Sequence, residues 1–250
     1  MKFYTNILQW GNSLLLREVV NGERVCRKVR YSPTLYAPVN SPTEWKTLKG
    51  QYVTPIQHNT IKEAKEWVEN YKNQPELVHG STMYSYNYIA DEYPNRINYD
   101  VDQILIVTID IEVECENGFP SPEAAAEPLL SITVKNHQSK KFVVWGVGKF
   151  QNDRDDVTYV ECSDELHLIK EFLAFWESHQ PDIITGWNVK FFDIPYLMNR
   201  FRYLMGDEFV NQFSPWGIVT SNSAKITAKG FNREQNYYDI LGVSVLDYLD

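Results

Sequence analysis

Three acids stand at alternate positions near the end of an apolar run: Asp110, Glu112 and Glu114 in "ILIVTIDIEVE", from Ile104 to Glu114. Alternate residues of a strand share a face. Leu105, Val107, Ile109, Ile111 and Val113 therefore make one wholly apolar face, and Ile104, Ile106, Thr108, Asp110, Glu112 and Glu114 make the other, apolar first and acidic last. Asp110 and Glu112 project side by side, with Cβ atoms roughly 6–7 Å apart by the strand rise. Burying an unpaired carboxylate costs several kcal/mol, so acids here call for something positive beside them. Hard divalent cations want such oxygen donors, and Mg²⁺ typically takes one or two carboxylates with water and phosphate oxygens. The plainer reading is a strand that runs out into solvent with its last acids wet, and a D-x-E pair alone leaves both open.

A second constellation is "TGWNVKFFDIPY", Thr185 to Tyr196. Asp193 sits between Phe192 and Ile194 at an otherwise apolar helix entry, and Asn188 lies where the preceding strand ends. Taken alone, Asp193 also fits an ordinary first-turn acid favoured by the helix dipole. Phe191 and Phe192 cannot both point inward from one helix face, which leaves one of them free, and a free ring is one on which a base could stack.

The elements that must position these residues follow from periodicity. "SLLLREVVNGERVCRKVRY" reads as two strands around Asn21-Gly22, a dipeptide suited to a tight hairpin turn. "TIKEAKEWVENYKN" puts Ile61, Ala64, Trp67 and Tyr71 at helical spacing behind Thr60 as N-cap, and the Tyr/Asn-rich "STMYSYNYIADEYPNRINYD" reads as a less regular connection. After the acidic strand come "LLSITVKN" and "KFVVWGVG" as an antiparallel meander. "SDELHLIKEFLAFWESH" follows as a helix with Leu166, Ile169, Leu173 and Trp176 on one stripe and Ser163 as cap. "PDIITGWN" is a short strand, and "VKFFDIPYLMNRFRYLM" opens another helix with Pro195 in its first turn. "AKITAKGFNREQNYYDILG" reads as a hairpin with a polar tip from Gly230 to Asn236. The expected fold class is α/β (α+β), a mixed sheet flanked by helices after a small β-rich domain, with domains 1–102 and 103–250.

"DIEVECENGFP" resembles the first exonuclease motif of family B DNA polymerases, and "TGWNVKFFDIPY" resembles the second. D-x-E alone is unspecific; followed across a helix and a short strand by N-x-x-x-F-D, it is specific. "YSPTLYAP" and "LGVSVLDYLD" extend the likeness to the T-even-type bacteriophage group and to essentially the whole chain. The resemblance implies a ribonuclease H-like 3′→5′ proofreading exonuclease domain behind the polymerase's N-terminal domain. It implies two divalent ions, Mg²⁺ or Mn²⁺, with Asp110 bridging both, Glu112 on the ion that activates water and Asp193 supporting the other. Asn188, Phe119 and Phe192 are then the residues for the terminal nucleotides, and the late hairpin keeps primer and template strands apart. The implied partners are a single-stranded DNA 3′ end or primer–template and the remainder of a polymerase chain, in the cytoplasm of a host cell where the source is viral. Glu114 has no implied role and is expected to be solvated.

The family's third motif, Y-x-x-x-D, has no acceptable match. Tyr203 and Asp207 fit the pattern, but in one continuous helix they would be carried away from Asp193 at ~1.5 Å per residue. The expectation is thus a fragment of a longer polymerase with little or no exonuclease activity alone, its "GVSVLDYLD" end exposing apolar surface. A competing expectation is a noncatalytic RNA-binding module built on "RKVRYSPTLY", with Arg27, Lys28 and Arg30 as its cations.

Bulk composition bounds both readings. The chain has 250 residues, 43% hydrophobic and 14% aromatic, enough for one or two packed domains. A net charge of −9 speaks against a general polyanion binder, since that affinity comes from Lys and Arg, but not against an enzyme that meets phosphates through metal. Cys26, Cys115 and Cys162 are far apart and form no CxxC pair, so neither a disulfide framework nor a zinc site is indicated. No apolar run reaches the ~18 residues of a membrane span, so no membrane partner is expected.

Overall fold

Asn21 (φ 53°) and Gly22 (φ 89°) both take positive φ, the conformation that a two-residue hairpin turn requires. They join strand β2 (Ser13–Val20) to β3 (Glu23–Val29), and β1 (Lys2–Trp10) pairs with the other edge of β2. The computed structural model describes residues 1–116, 118–228 and 231–249, and divides into two compact units, Met1–Tyr99 and Asp100–Asp250.

In the first unit a second sheet follows, with β4 (Thr34–Pro38) and β5 (Trp45–Lys46) on either side of β6 (Tyr52–Gln57). Helix α1 (Ile61–Asn70) starts at Thr60, whose hydroxyl oxygen accepts the Glu63 N–H at 3.1 Å. The Tyr/Asn-rich stretch is not an irregular connection: it contains helix α2 (Tyr84–Glu92). Tyr84 and Tyr88 lie one turn apart and are buried in the cluster formed by Leu14, Leu16, Leu35, Ile61 and Ala64. Tertiary burial overrides the weak helix preference of Tyr, Ser and Asn.

The second unit is a six-stranded mixed sheet in the order β10-β9-β8-β7-β11-β14. Strand β7 (Ile106–Val113) carries the acids; β8 (Leu129–Asn136) and β9 (Phe142–Val147) form the antiparallel meander beside it. Strand β10 (Val157–Cys162), parallel to β9, was not foreseen: its "VTYVEC" alternates only weakly. Helix α3 (Glu165–His179) packs over β8, β9 and β10. Its cap is Asp164, not Ser163, with Oδ1 accepting the His167 N–H at 2.9 Å. Its buried stripe is Leu168, Ile169, Phe172, Leu173 and Trp176, while Leu166 is exposed.

Strand β11 (Ile183–Gly186) runs parallel to both β7 and β14 (Ser244–Asp247). A Cβ at Gly186 would stand 2.9 Å from the Ile109 carbonyl oxygen, so only glycine lets β11 finish this close to β7. Helix α4 (Asp193–Met205) ends at Gly206 (φ 101°), and Asp207 opens a separate helix α5 (Asp207–Asn211). Tyr203 and Asp207 therefore do not share one helix; Asp207 accepts from the Arg202 Nε at 2.6 Å instead. Strands β12 (Val219–Ala228) and β13 (Phe231–Ile240) form the late hairpin. It is longer than the sequence implied, because residues 231–236 are strand rather than tip; Gly230 lies outside the described residues. Among the described residues no helix is long and apolar enough to cross a membrane.

Candidate active site

The alternation of β7 holds: Val107, Ile109 and Ile111 are buried, whereas Asp110 and Glu112 are exposed on the opposite face. The acids escape the burial cost because they stand at the far end of the strand, where β11 has already stopped. The register pairs Thr185 with Thr108, so Ile111 lies past the end of β11, and its N–H needs another acceptor on that side. Asp193 supplies it: Oδ1 accepts the Ile111 N–H at 3.1 Å. One hydrogen bond thus places the first residue of α4 against the backbone between Asp110 and Glu112. Glu114 is half-buried rather than fully solvated, and its N–H donates to the Pro128 carbonyl at 3.0 Å.

Asp193 is only 4% exposed, and its carboxyl is pushed up from the ordinary value to about 7. Burial is the main cause, followed by the negative charge of Asp110; the Ile111 N–H opposes both, and Asp247 adds a smaller upward push. Two acids from different elements are therefore near enough to repel. Among the described residues, no three His, Cys, Asp or Glu side chains converge as a ready-made ligand set for one ion.

Phe119 and Phe192 are brought together, with ring centroids 5.2 Å apart. Phe119 is 84% exposed in the loop after β7, and Phe192 is half-buried as the residue that caps α4 and lies against Tyr196. Phe191 turns the other way and meets Tyr237 of β13 edge-on, so the two phenylalanines diverge before the helix begins. Asn188 is half-buried with φ 56°, and its backbone N–H donates to Asp247 Oδ1 at 2.9 Å.

The loop between β7 and β8 is pinned from α4. Arg200 is buried; its Nη1 donates to the carbonyls of Ala125 (3.1 Å) and Ala126 (2.8 Å), and its Nε and Nη2 grip Glu165 at 2.8 and 2.7 Å. Asn199 Nδ2 donates to the Pro122 carbonyl at 2.8 Å while its Oδ1 takes the Tyr238 hydroxyl at 2.5 Å, linking that loop to the hairpin base. Asp247, Asn199 and Arg200 all escaped the sequence reading. None of the three stands in a pattern like the alternating acids that singled out Asp110 and Glu112. Of the three cations considered for RNA, Arg27 is occupied by the buried Glu18, while Lys28 and Arg30 are exposed.

Comparison with known proteins matches residues 48–250 to the DNA polymerase family B, exonuclease domain. The DNA-directed DNA polymerase of Enterobacteria phage T4 is 29% identical over the whole chain, and that of Escherichia phage RB69 is 28% identical; the chain spans 30% of the length of each. A DNA polymerase of Pyrococcus glycovorans is 30% identical over 40% of this chain and 12% of its own length. Exonuclease domains of this family are generally dependent on divalent metal, and its polymerases bind DNA.

Proposed function

The chain belongs to the exonuclease-domain family of the family B DNA polymerases, and from that premise we propose that it removes nucleotides from the 3′ end of a DNA strand as the proofreading part of a replicative polymerase. In that reaction the oxygen of a water bonds to the terminal phosphorus. The bond to the penultimate 3′ oxygen breaks, that oxygen takes a proton, and a nucleoside 5′-monophosphate departs.

The observation that carries this reading is the Asp193–Ile111 bond, which brings acids from β7 and α4 to one edge of the sheet. The donor set suits the cofactor: it is all carboxylate oxygen, and a cation near Asp110 and Asp193 relieves the repulsion that adds to burial in lifting the Asp193 pKa to about 7. Asp110, Glu112 and Asp193 would hold two Mg²⁺ or Mn²⁺ ions, which when bound polarise the phosphate and acidify the attacking water. Mg²⁺ commonly takes one or two carboxylates, so a ready-made set of three, which does not occur among the described residues, is not required.

The protein's own residues supply position. Ile111 N–H holds the Asp193 carboxylate in place, and the Phe119–Phe192 pair offers ring faces to the last bases of a frayed strand. Asn188 is the further residue proposed to hold the terminal nucleotide. The proposed partners are a single-stranded DNA 3′ end or primer–template and further polymerase segments; the proposed compartment is the cytoplasm, of a host cell if the source is viral.

The test is release of label from a 3′-labelled single-stranded oligonucleotide in Mn²⁺, compared with the Asp110→Ala variant. Slow release that the variant lacks is expected. Equal measurable release from the two overturns the assignment of a hydrolytic site to these acids; no release from either overturns hydrolysis by this chain alone and leaves the family assignment standing.

A further inference from the structure

Asp247 ends β14, and its register partner on β11 is Gly186. Its carboxylate is filled by backbone donors. Oδ1 accepts the N–H of Asn188 and of Leu249, each at 2.9 Å, and Oδ2 accepts the N–H of Lys190 at 2.9 Å. Hydrogen bonds to an ionised acceptor are the stronger kind.

The segment held in this way is unusual. Asn188 has φ 56°, a left-handed conformation uncommon for a residue with a Cβ, although asparagine tolerates it better than most. The chain then coils tightly into α4: the Asn188 carbonyl accepts from Phe191 (3.1 Å) and Phe192 (2.9 Å), and the Val189 carbonyl accepts from Ile194 (3.0 Å). Asp193 is the residue that this turn delivers, and its Oδ1 meets Ile111.

We infer that Asp247 is a positioning residue for the acid site: its carboxylate fixes the turn from Asn188 to Phe192, and through that turn it sets the Asp193 carboxylate against Ile111. Its link to metal rests on the proposed reading of Asp110, Glu112 and Asp193 as ligands. Asparagine cannot take its place, because its NH₂ group would set a donor against at least one of the three amides it now serves. A residue that orients a ligand in this way changes metal affinity when altered, and its loss does not simply lower stability.

Amide hydrogen exchange on the full metal-free chain tests the mechanical part. Wild type is compared with Asp247→Asn and with Asp164→Ala, which removes the α3 cap without touching the turn. Asp247→Asn is expected to speed exchange at Lys190 and Ile111 about tenfold beyond Asp164→Ala, while Ile132 and Val134 report only overall stability in both. Equal Ile111 exchange in the two variants overturns the inference, whatever the acids bind. Mn²⁺ binding then tests the link to the site: Asp247→Asn should weaken Asp110-dependent binding by about 10- to 100-fold. Unchanged affinity in Asp247→Asn beside Asp110-dependent binding in wild type also overturns it. Wild type without any Asp110-dependent binding contradicts the metal reading instead, and the link to metal with it.

Discussion

Asp193 Oδ1 lies 3.1 Å from the Ile111 nitrogen, so the acid that opens α4 caps the free edge of the strand that carries Asp110 and Glu112. The bond has a structural and a chemical consequence. It satisfies a backbone donor left bare where β11 ends, and it holds a buried carboxylate close to the charge of Asp110.

The charge on Asp193 costs stability in metal-free protein. Its folded pKa, about 7, lies above the ordinary value of 3.8, so the folded state binds this proton more tightly than the unfolded chain does. The stability this confers is fully present below the unfolded value and is lost as pH rises through the folded one. By linkage the loss is on the order of 4 kcal/mol. Asp193→Asn keeps an oxygen for Ile111 and removes the charge. In EDTA it should raise the melting temperature at pH 8, with the gain shrinking towards pH 4. Saturating Mg²⁺ should reduce the gain at pH 8 by stabilising wild type alone.

Helix α3 separates two neighbouring caps. Asp164→Ala removes the acceptor of the His167 N–H and should cost about 1 kcal/mol, whereas Ser163→Ala should fall within a few tenths of wild type. Urea unfolding at one pH measures both.

Breaking the Arg200–Glu165 pair should be far more costly. Arg200→Ala strands a largely buried carboxylate and frees the Ala125 and Ala126 carbonyls, which predicts a loss of about 3–5 kcal/mol. Chemical denaturation gives the value, and faster proteolysis between Glu114 and Pro128 would show that the loop is released.

Phe119→Ala should leave stability unchanged, because the ring is mostly exposed. It should weaken binding of a short single-stranded oligonucleotide by about 1–3 kcal/mol, the contribution of one stacked base. Fluorescence anisotropy in Ca²⁺ measures this, and an unchanged affinity would remove Phe119 from the interface.

Strand β7, the meander, α1 and α4 were legible because each carries a clear period or a capping residue. Helix α2 was not, since its Tyr- and Asn-rich composition favours no element until Tyr84 and Tyr88 find the Leu14–Leu35 cluster. Asp110, Glu112 and Asp193 were legible as acids set in apolar surroundings. Their joining through Ile111 was not, because it depends on where β11 stops relative to β7. Asp247 was hidden for the same reason: its role lies in the two amides it holds across the sheet, and no local pattern records them.

Mn²⁺ titration followed by electron paramagnetic resonance, comparing wild type with Asp110→Ala and Asp193→Ala, tests the central claim most directly. The account predicts that wild type takes up Mn²⁺ and that either substitution sharply weakens the uptake. Identical titration curves for the three proteins would contradict it, and would leave Asp110 and Glu112 as solvated acids at the end of a strand.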